Sequence, residues 1–225
     1  MSLLQIVLRS LRQHMLSTVI TAFSIALASG LLMSVWVVKD QARASFTGVD
    51  SGFDGVFGAR GSKLQLVLNS IFHLEASPGN LSWEQYERIA ADRRVATAVP
   101  IAVGDNYHGY RLVGVTTNLF EVEYREGKKY AVRDGYLFNP KKKQAVVGSF
   151  AADRLKLKFG DTFHPYHGLI FDENNQHAET YVVSGIMEPS NTPADRVIWI
   201  PIAGLQNMAG HNAETASDVS AVLVK

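Results

Sequence analysis

The chain has 225 residues, of which 47% are hydrophobic and 19% are charged, and its formal net charge at pH 7 is +1. A charge so close to zero argues against nucleic-acid binding, which depends on an excess of Lys and Arg. The absence of Cys excludes a disulfide-stapled mini-protein and a thiolate metal site.

The first predicted element is a short amphipathic helix over residues 1–14. Its Leu, Ile and Val residues recur at helical spacing, and Arg9 and Arg12 are the only Lys, Arg, Asp or Glu side chains before Lys39. Basic residues beside an apolar stretch tend to stay on the cytoplasmic side of a membrane. We therefore expect this helix to lie on the cytoplasmic surface of a membrane.

The second predicted element is a transmembrane helix over residues 15–38, a stretch without a charged side chain. A span needs about 20 apolar residues to cross about 30 Å of hydrocarbon, so this stretch is long enough. The basic flank predicts that everything after Val38 lies outside the cytoplasm. A cleaved signal peptide with Ala26-Leu27-Ala28 as its processing site is the alternative, but the apolar run continues well past Ala28.

After the membrane the helix is predicted to continue over residues 39–46, and glycines at short intervals between Gly48 and Gly61 then mark a loop that contains a short strand at residues 54–57. A helix is predicted over residues 60–72. Another helix is expected to be N-capped by Ser82, with Gln85 completing a capping box.

From Val95 onward the pattern is typical of short strands. Strands are expected at residues 95–103 and 110–115, with Gly104-Asp105-Asn106 as the turn between them. Further elements are a strand at 145–148, a helix at 149–155, a hairpin of strands 162–171 and 178–187, a strand at 197–200, a helix opened by Pro201 and a strand at 217–225.

These elements predict an α+β fold class. One N-terminal transmembrane helix is followed by a mixed α/β extracytoplasmic domain with a β-rich inserted subdomain at about residues 145–200. The expected division is residues 1–46 for the two N-terminal helices and residues 47–225 for the domain.

No catalytic, cofactor or metal motif emerges. Gly58, Gly61 and Lys63 lack the spacing of a phosphate-binding loop, and Ser149 lacks the surroundings of a nucleophile elbow. His164, His167 and His177 are expected to be exposed strand histidines, because no carboxylate is evidently placed to complete a ligand set. The chain is therefore predicted not to be an enzyme.

Several blocks, taken in order, resemble a known family. Residues 145–163 (AVVGSFAADRLKLKFGDTF) combine a strand, a short helix and a Gly-Asp turn. Residues 181–201 (YVVSGIMEPSNTPADRVIWIP) combine a strand, a loop and a strand that closes on Pro201. These blocks are similar to the periplasmic core domain of MacB-type, FtsX-like ABC transporter permeases. Residues 58–68 (GARGSKLQLVL), with 72–74 and 78–80, resemble the subgroup related to lipoprotein release and export.

The resemblance implies the membrane (permease) subunit of an ABC-type export, lipoprotein-release or mechanotransmission system. The extracytoplasmic domain would couple cytoplasmic ATP hydrolysis to substrate handling outside the membrane. The implied partners are a separate cytoplasmic ABC ATPase, a second permease copy as homodimer or heterodimer, and an additional periplasmic or outer-membrane partner. A membrane-anchored binding or sensor domain without an ABC partner is the alternative.

The resemblance also implies three further spanning helices after the domain, whereas the sequence reaches Lys225 without another apolar run. We therefore expect a fragment, a truncated form, or a system in which a separate protein supplies the rest.

Two surface segments are candidates for contact with a partner or substrate. Both are polar stretches between structural blocks, and ordinary turn and packing roles are the alternative for each. The candidate residues are Arg60, Lys63, Gln65 and Asn69 in the first segment and Thr192, Asp195 and Arg196 in the second.

Overall fold

The computed structural model of the protein describes residues 3–47, 51–208 and 217–225. The chain divides into two compact units, Met1–Val49 and Asp50–Lys225. The predicted boundary near residue 46 lies close to this division.

The first unit consists of two helices, α1 (Leu3–Gln13) and α2 (Met15–Thr47). Within α2, Met15–Ala42 is long and apolar enough to cross a membrane, judged by length and composition. Its large apolar side chains are exposed all round the helix, among them Phe23, Leu32 and Trp36. A helix that is apolar on every side suits a lipid environment better than water.

The second unit mixes helices and strands along the chain. Its helices are α3 (Lys63–Ser70), α4 (Trp83–Ala90), α5 (Ser149–Leu155) and α6 (Ile202–Gln206), with 3-10 turns at Thr117–Glu121 and Pro193–Arg196. Its strands are β1 (Gly55–Gly58), β2 (Ala98–Tyr107), β3 (Tyr110–Val115), β4 (Glu123–Arg125), β5 (Lys128–Lys129), β6 (Val132–Gly135), β7 (Gln144–Val147), β8 (Thr162–Phe163), β9 (Tyr166–His167), β10 (Tyr181–Met187), β11 (Ile198–Pro201) and β12 (Ala221–Val224).

Most of these strands form one mixed, ten-stranded sheet with the order β1-β12-β2-β3-β11-β7-β10-β6, while β8 pairs with β10 and β9 with β2. β11 runs parallel to β3 and β7 runs parallel to β10. The strands within residues 145–200 thus belong to the same sheet as β2, β3 and β12. A subdomain boundary in that region stays a prediction.

Apolar side chains cover both faces of the sheet. Neighbouring residues on one strand enter opposite clusters, because successive side chains of a strand point to opposite faces. Leu112, Val147 and Ile198 lie in the cluster that also contains residues of α5 and α6, whereas Val113, Val146 and Trp199 lie in the other. Burial on both faces explains why the central strands read as continuous apolar runs.

The predicted turn at residues 104–106 is wrong, because β2 continues through these residues. The turn lies instead at His108 and Gly109, whose φ angles of 46° and 82° both fall in the left-handed region. Two left-handed residues are the requirement of a tight type I′ hairpin. A register shift between Val103 and Asp105 keeps the two strands paired, so Asp105 lies within the sheet.

The hairpin predicted around residues 172–175 is confirmed in part, because β10 lies within the predicted second strand and pairs antiparallel with β8 at Tyr181 and Phe163. The long first strand predicted at residues 162–171 is wrong. β8 and β9 have only two residues each. Pro165 separates them because proline cannot donate a ladder hydrogen bond. By contrast, the capping box of Ser82 and Gln85 and the short helix at residues 149–155 are confirmed.

The predicted glycine-rich loop begins at Gly48, which lies outside the described residues. Its described part contains β1, which pairs antiparallel with β12 over Gly55–Gly58, so the short strand predicted at residues 54–57 is confirmed with a shift of one residue.

Candidate functional site

The first predicted contact segment is built around α3. Ser62 caps this helix by accepting a hydrogen bond from the Gln65 backbone N–H at 3.3 Å. The Asn69 side chain is 0% exposed, and its Nδ2 donates to the Glu75 carbonyl at 2.8 Å. Asn69 therefore holds the chain that follows α3, and of the predicted residues here only Arg60 and Lys63 are classed as exposed.

Gln65 has a similar local role. Its Nε2 donates to the carbonyl oxygen of Ala76 at 3.3 Å, while the residue as a whole is half-buried. The chain after α3 is thus fastened to the helix at two carbonyls.

The second predicted segment is organised by Asp195, which is 7% exposed. Its carboxylate accepts hydrogen bonds from Ser190 Oγ at 2.7 Å, from the Ser190 N–H at 3.0 Å and from the Asn191 N–H at 2.7 Å. Thr192 caps the following 3-10 turn by accepting from the Ala194 N–H at 3.3 Å. Asp195 and Thr192 therefore stabilise the loop from within.

Arg196 is the exposed member of this segment. Its guanidinium carbon lies 4.6 Å from the centroid of the Phe150 ring, and the guanidinium carbon of Arg154 lies 5.3 Å from the same centroid. A cation over an aromatic face is stabilised by about 0.5–1 kcal/mol at an exposed site. The result is a small basic surface beside α5, and a contact role for Arg60, Lys63 and Arg196 stays a prediction.

The structure also forms a cluster that sequence reasoning missed. β9 pairs antiparallel with β2, and this pairing sets His167 opposite Asp105. Nδ1 of His167 lies 3.4 Å from Oδ1 of Asp105, and Nε2 of His177 lies 3.3 Å from the same oxygen. One ligand atom from each of the three residues lies within 4.8 Å of the other two. We call these three residues the Asp–His cluster.

The expectation that no carboxylate completes a histidine set is therefore wrong. Asp105 was assigned to a turn, and its place on β2 follows only from the strand register. His164 does not belong to the cluster, whereas His167 and His177 approach each other with ring centroids 5.3 Å apart. The one available sequence signal is that His167 and His177 flank a Gly- and Asn-containing turn.

Backbone and amide contacts hold the Asp–His cluster in place. Nδ2 of Asn106 donates to the carbonyls of Gly168 at 2.9 Å and Ile170 at 3.3 Å. The Gly168 N–H donates to Oδ1 of Asp105 at 3.2 Å. These bonds fasten the segment carrying His167 to β2.

His177 is positioned from the other side of the same segment. Its backbone N–H donates to the Pro165 carbonyl at 2.8 Å, and the His167 N–H donates to the Asn175 carbonyl at 2.7 Å. The backbone therefore closes residues 165–177 into a loop that presents both imidazoles to Asp105.

The surroundings of the cluster carry negative charge. Burial raises the pKa of the Tyr181 phenol above its usual range, and the nearby charges of Glu179 and Asp105 raise it further. Asp105 itself is 0% exposed. A buried carboxylate of this kind is stabilised by a nearby cation or by several hydrogen-bond donors.

Comparison with known proteins identifies one sequence family. Residues 16–225 match the sequence model of the MacB-like periplasmic core domain. No curated protein sequence matches the chain significantly.

Two solved structures align with about three quarters of this chain. The extracellular domain of the noncanonic ABC-type transporter YknZ from Gram-positive bacteria aligns over 76% of this chain and 81% of that chain, with 19% identity and a TM-score of 0.46. The periplasmic region of MacB from Actinobacillus actinomycetemcomitans aligns over 77% of this chain and 76% of that chain, with 14% identity and a TM-score of 0.48.

Proposed function

Because the chain belongs to the family of the MacB-like periplasmic core domain, we propose that it serves in the membrane subunit of an ABC-type export, lipoprotein-release or mechanotransmission system. The observation that carries this proposal is the extent of the family match. It begins at residue 16, inside α2, and runs through the whole second unit, so it includes the candidate membrane span as well as the domain.

We further propose that a separate cytoplasmic ABC ATPase and a second permease copy complete the machine. The chain's own part would be non-enzymatic. Its N-terminus would lie in the cytoplasm, since Arg9 and Arg12 flank the apolar stretch, and its second unit would lie outside. An additional periplasmic or outer-membrane partner would receive the motion or the substrate.

The length of α2 supports a mechanical role. Its 33 residues correspond to about 50 Å at about 1.5 Å per residue, compared with about 30 Å of hydrocarbon. A helix that leaves the bilayer without interruption resists bending. In our proposal, closure of the ATPase moves the cytoplasmic end of α2, and the helix transmits that displacement to the chain beyond Thr47.

The test uses the complete permease reconstituted in nanodiscs with its ATPase. Lys63 is exposed, and residues 1–225 contain no Cys. Once any Cys in the rest of the permease and in the ATPase has been replaced, a Lys63→Cys variant can carry one spin label in each of two copies. We expect the distance between the labels to change between the nucleotide-free and the ATP-bound states.

An insertion of Gly-Gly after Arg43 is expected to abolish that change while ATP binding persists, because Gly is a poor helix former. An Ala-Ala insertion at the same place is the matched control, since it shifts the register equally but keeps the helix. If the Gly-Gly and Ala-Ala variants show the same ATP-dependent change in label distance, α2 does not transmit the displacement as a stiff helix. If no ATPase associates and the distance between the labels is the same with and without ATP, the chain is better described as a membrane-anchored binding or sensor domain.

A further inference from the structure

We propose that Asp105, His167 and His177 bind a divalent transition-metal ion of the zinc type. This inference rests on the Asp–His cluster alone and holds whether or not the chain works with an ABC ATPase. The ion would tie β2 to the loop of residues 165–177.

The interatomic distances suit a tetrahedral ion. Ligand atoms about 2.0–2.1 Å from a tetrahedral Zn²⁺ lie about 3.3–3.4 Å from one another. The two histidine nitrogens lie 3.4 Å and 3.3 Å from Oδ1 of Asp105, so two edges of such a tetrahedron already exist. The ligand atoms all lie within 4.8 Å of one another. In our proposal the His167 side chain, which is 51% exposed, adjusts when the ion binds and brings the two nitrogens to the tetrahedral separation.

The ligand types indicate which ions fit. Two imidazoles and one carboxylate suit Zn²⁺ and its neighbours, whereas Mg²⁺ and Ca²⁺ prefer sites made entirely of oxygen. Three protein ligands leave a fourth position for water. Since Asp105 and His177 are buried and His167 is exposed, that position and the entry path lie on the His167 side, as in an exchangeable site.

The surrounding contacts match what a metal site requires. The Gly168 N–H orients the Asp105 carboxylate, and Asn106 fixes the backbone that carries His167. Such contacts to ligands typically change metal affinity by about 10–100-fold. The register shift at Val103–Asp105 re-aims the carboxylate within β2, which is a common use of a strand irregularity near a site.

An imidazolium–carboxylate ion pair is the competing interpretation. One protonated histidine would neutralise Asp105, yet both ring nitrogens approach the same carboxylate oxygen. A metal ion would be bound by both ring nitrogens and by this oxygen at the same time, so it accounts for the convergence of the three ligand atoms more simply.

The experiment uses the full chain in detergent, purified with a tag that contains no histidine and then stripped with EDTA. Titration with Zn²⁺ by calorimetry is expected to show one saturable site. Titration with Co²⁺ is expected to produce the visible absorption of a four-coordinate ion. Zn²⁺ should also raise the thermal unfolding midpoint, because an ion that binds only the folded state stabilises it.

His167→Gln is the informative variant, since His167 is exposed and its replacement is not expected to impair folding. Loss of a residue that only contacts a metal ligand typically weakens metal binding by about 10–100-fold. Loss of a direct ligand should therefore weaken Zn²⁺ binding by at least about tenfold. Asp105→Asn should also weaken it. His164→Gln is the matched control, because His164 is also exposed and lies immediately before residues 165–177 but outside the cluster. This variant should bind Zn²⁺ like the wild type.

The metal-free unfolding midpoint of His167→Gln should equal that of the wild type, which separates a binding defect from a folding defect. The proposal is overturned if the wild type shows no saturable single site. It is equally overturned if His167→Gln binds Zn²⁺ as tightly as His164→Gln, and the ion-pair interpretation then replaces it.

Discussion

The imidazole of His73 stands edge-on against the indole of Trp199, with ring centroids 5.4 Å apart and ring planes at 87°. His73 is buried, and its backbone φ of 55° lies in the left-handed region. Burial is the main effect that lowers the pKa of His73; a backbone hydrogen bond at Asn69 raises it and the positive charge of Arg111 lowers it, so that the pKa is about 4. The chain after α3 is therefore built around a neutral histidine.

This pKa predicts a loss of stability in mild acid. The unfolded chain binds a proton at His73 below about pH 6.5, whereas the folded chain does so only near pH 4. The contribution of neutral His73 to the free energy of unfolding is fully present above about pH 6.5. It falls as the pH drops, and at pH 4 the loss amounts to about 3 kcal/mol. Urea unfolding followed by Trp fluorescence between pH 7.5 and 5 measures this loss.

His73→Asn is the control for that prediction, because Asn tolerates the left-handed backbone and does not titrate. Its unfolding free energy should depend less steeply on pH than that of the wild type. Identical slopes would show that another group is responsible.

Gly148, the residue before α5, is predicted to tolerate no side chain. A Cβ added there would lie 2.5 Å from the carbonyl carbon and oxygen of Asp195 and 2.6 Å from the Ala194 oxygen, all of them backbone atoms. Because backbone cannot move aside cheaply, Gly148→Ala should destabilise the protein by about 3 kcal/mol or more. The thermal midpoint and urea unfolding provide the measurement.

Gly127→Ala is the comparison variant. Gly127 has a φ of 68° and open space around it, so its substitution adds backbone strain of about 1 kcal/mol without a clash. The argument from close packing would be refuted if Gly148→Ala were no more destabilising than Gly127→Ala.

Asp195 is predicted to stabilise its loop. Asp195→Ala leaves the buried N–H of Ser190 and the N–H of Asn191 without their acceptor, and we expect a loss of about 2–4 kcal/mol in unfolding free energy. Asp195→Asn should cost less, since one oxygen still accepts. The neighbouring Arg196→Ala should cost less than about 1 kcal/mol, because only an exposed cation–π contact is removed. Similar losses for Asp195→Ala and Arg196→Ala would contradict this role.

The membrane orientation is predicted from the basic flank. Alkaline phosphatase fused after Lys225 should be active and green fluorescent protein fused there should be dark, because the second unit is expected outside the cytoplasm. Charge reversal at Arg9 and Arg12 should lower the phosphatase activity. The protein in the carbonate-resistant membrane fraction should still contain residues 1–28, as measured by intact-mass analysis. A shorter product released from the membrane would favour the signal-peptide alternative.

Much of the chain's organisation was predictable from local patterns. The run of uncharged residues before Lys39 predicted α2, and Ser82 with Gln85 predicted the start of α4, because length, charge and capping depend on residues close together in the sequence. The turn at residues 104–106 was mispredicted for the same local reason. Gly-Asp-Asn is a common turn sequence, but pairing with β3 overrides it.

The individual roles of polar residues depended on the fold. Asn69 and Asp195 look like surface residues in the sequence, yet both are buried and hold backbone groups of their own loops. Burial is set by what packs on top of a segment, and no neighbouring residue in the sequence reveals it.

The candidate membrane span, its basic flank and the order of the α+β elements could be read from the sequence, because periodicity, charge and family-specific blocks are carried along the chain. The approach of His167 and His177 to Asp105 could not, because it arises from strand pairing. The approach of His167 depends on the register of β9 against β2, and a shift of one residue in that register would turn the His167 side chain to the face of the sheet opposite Asp105.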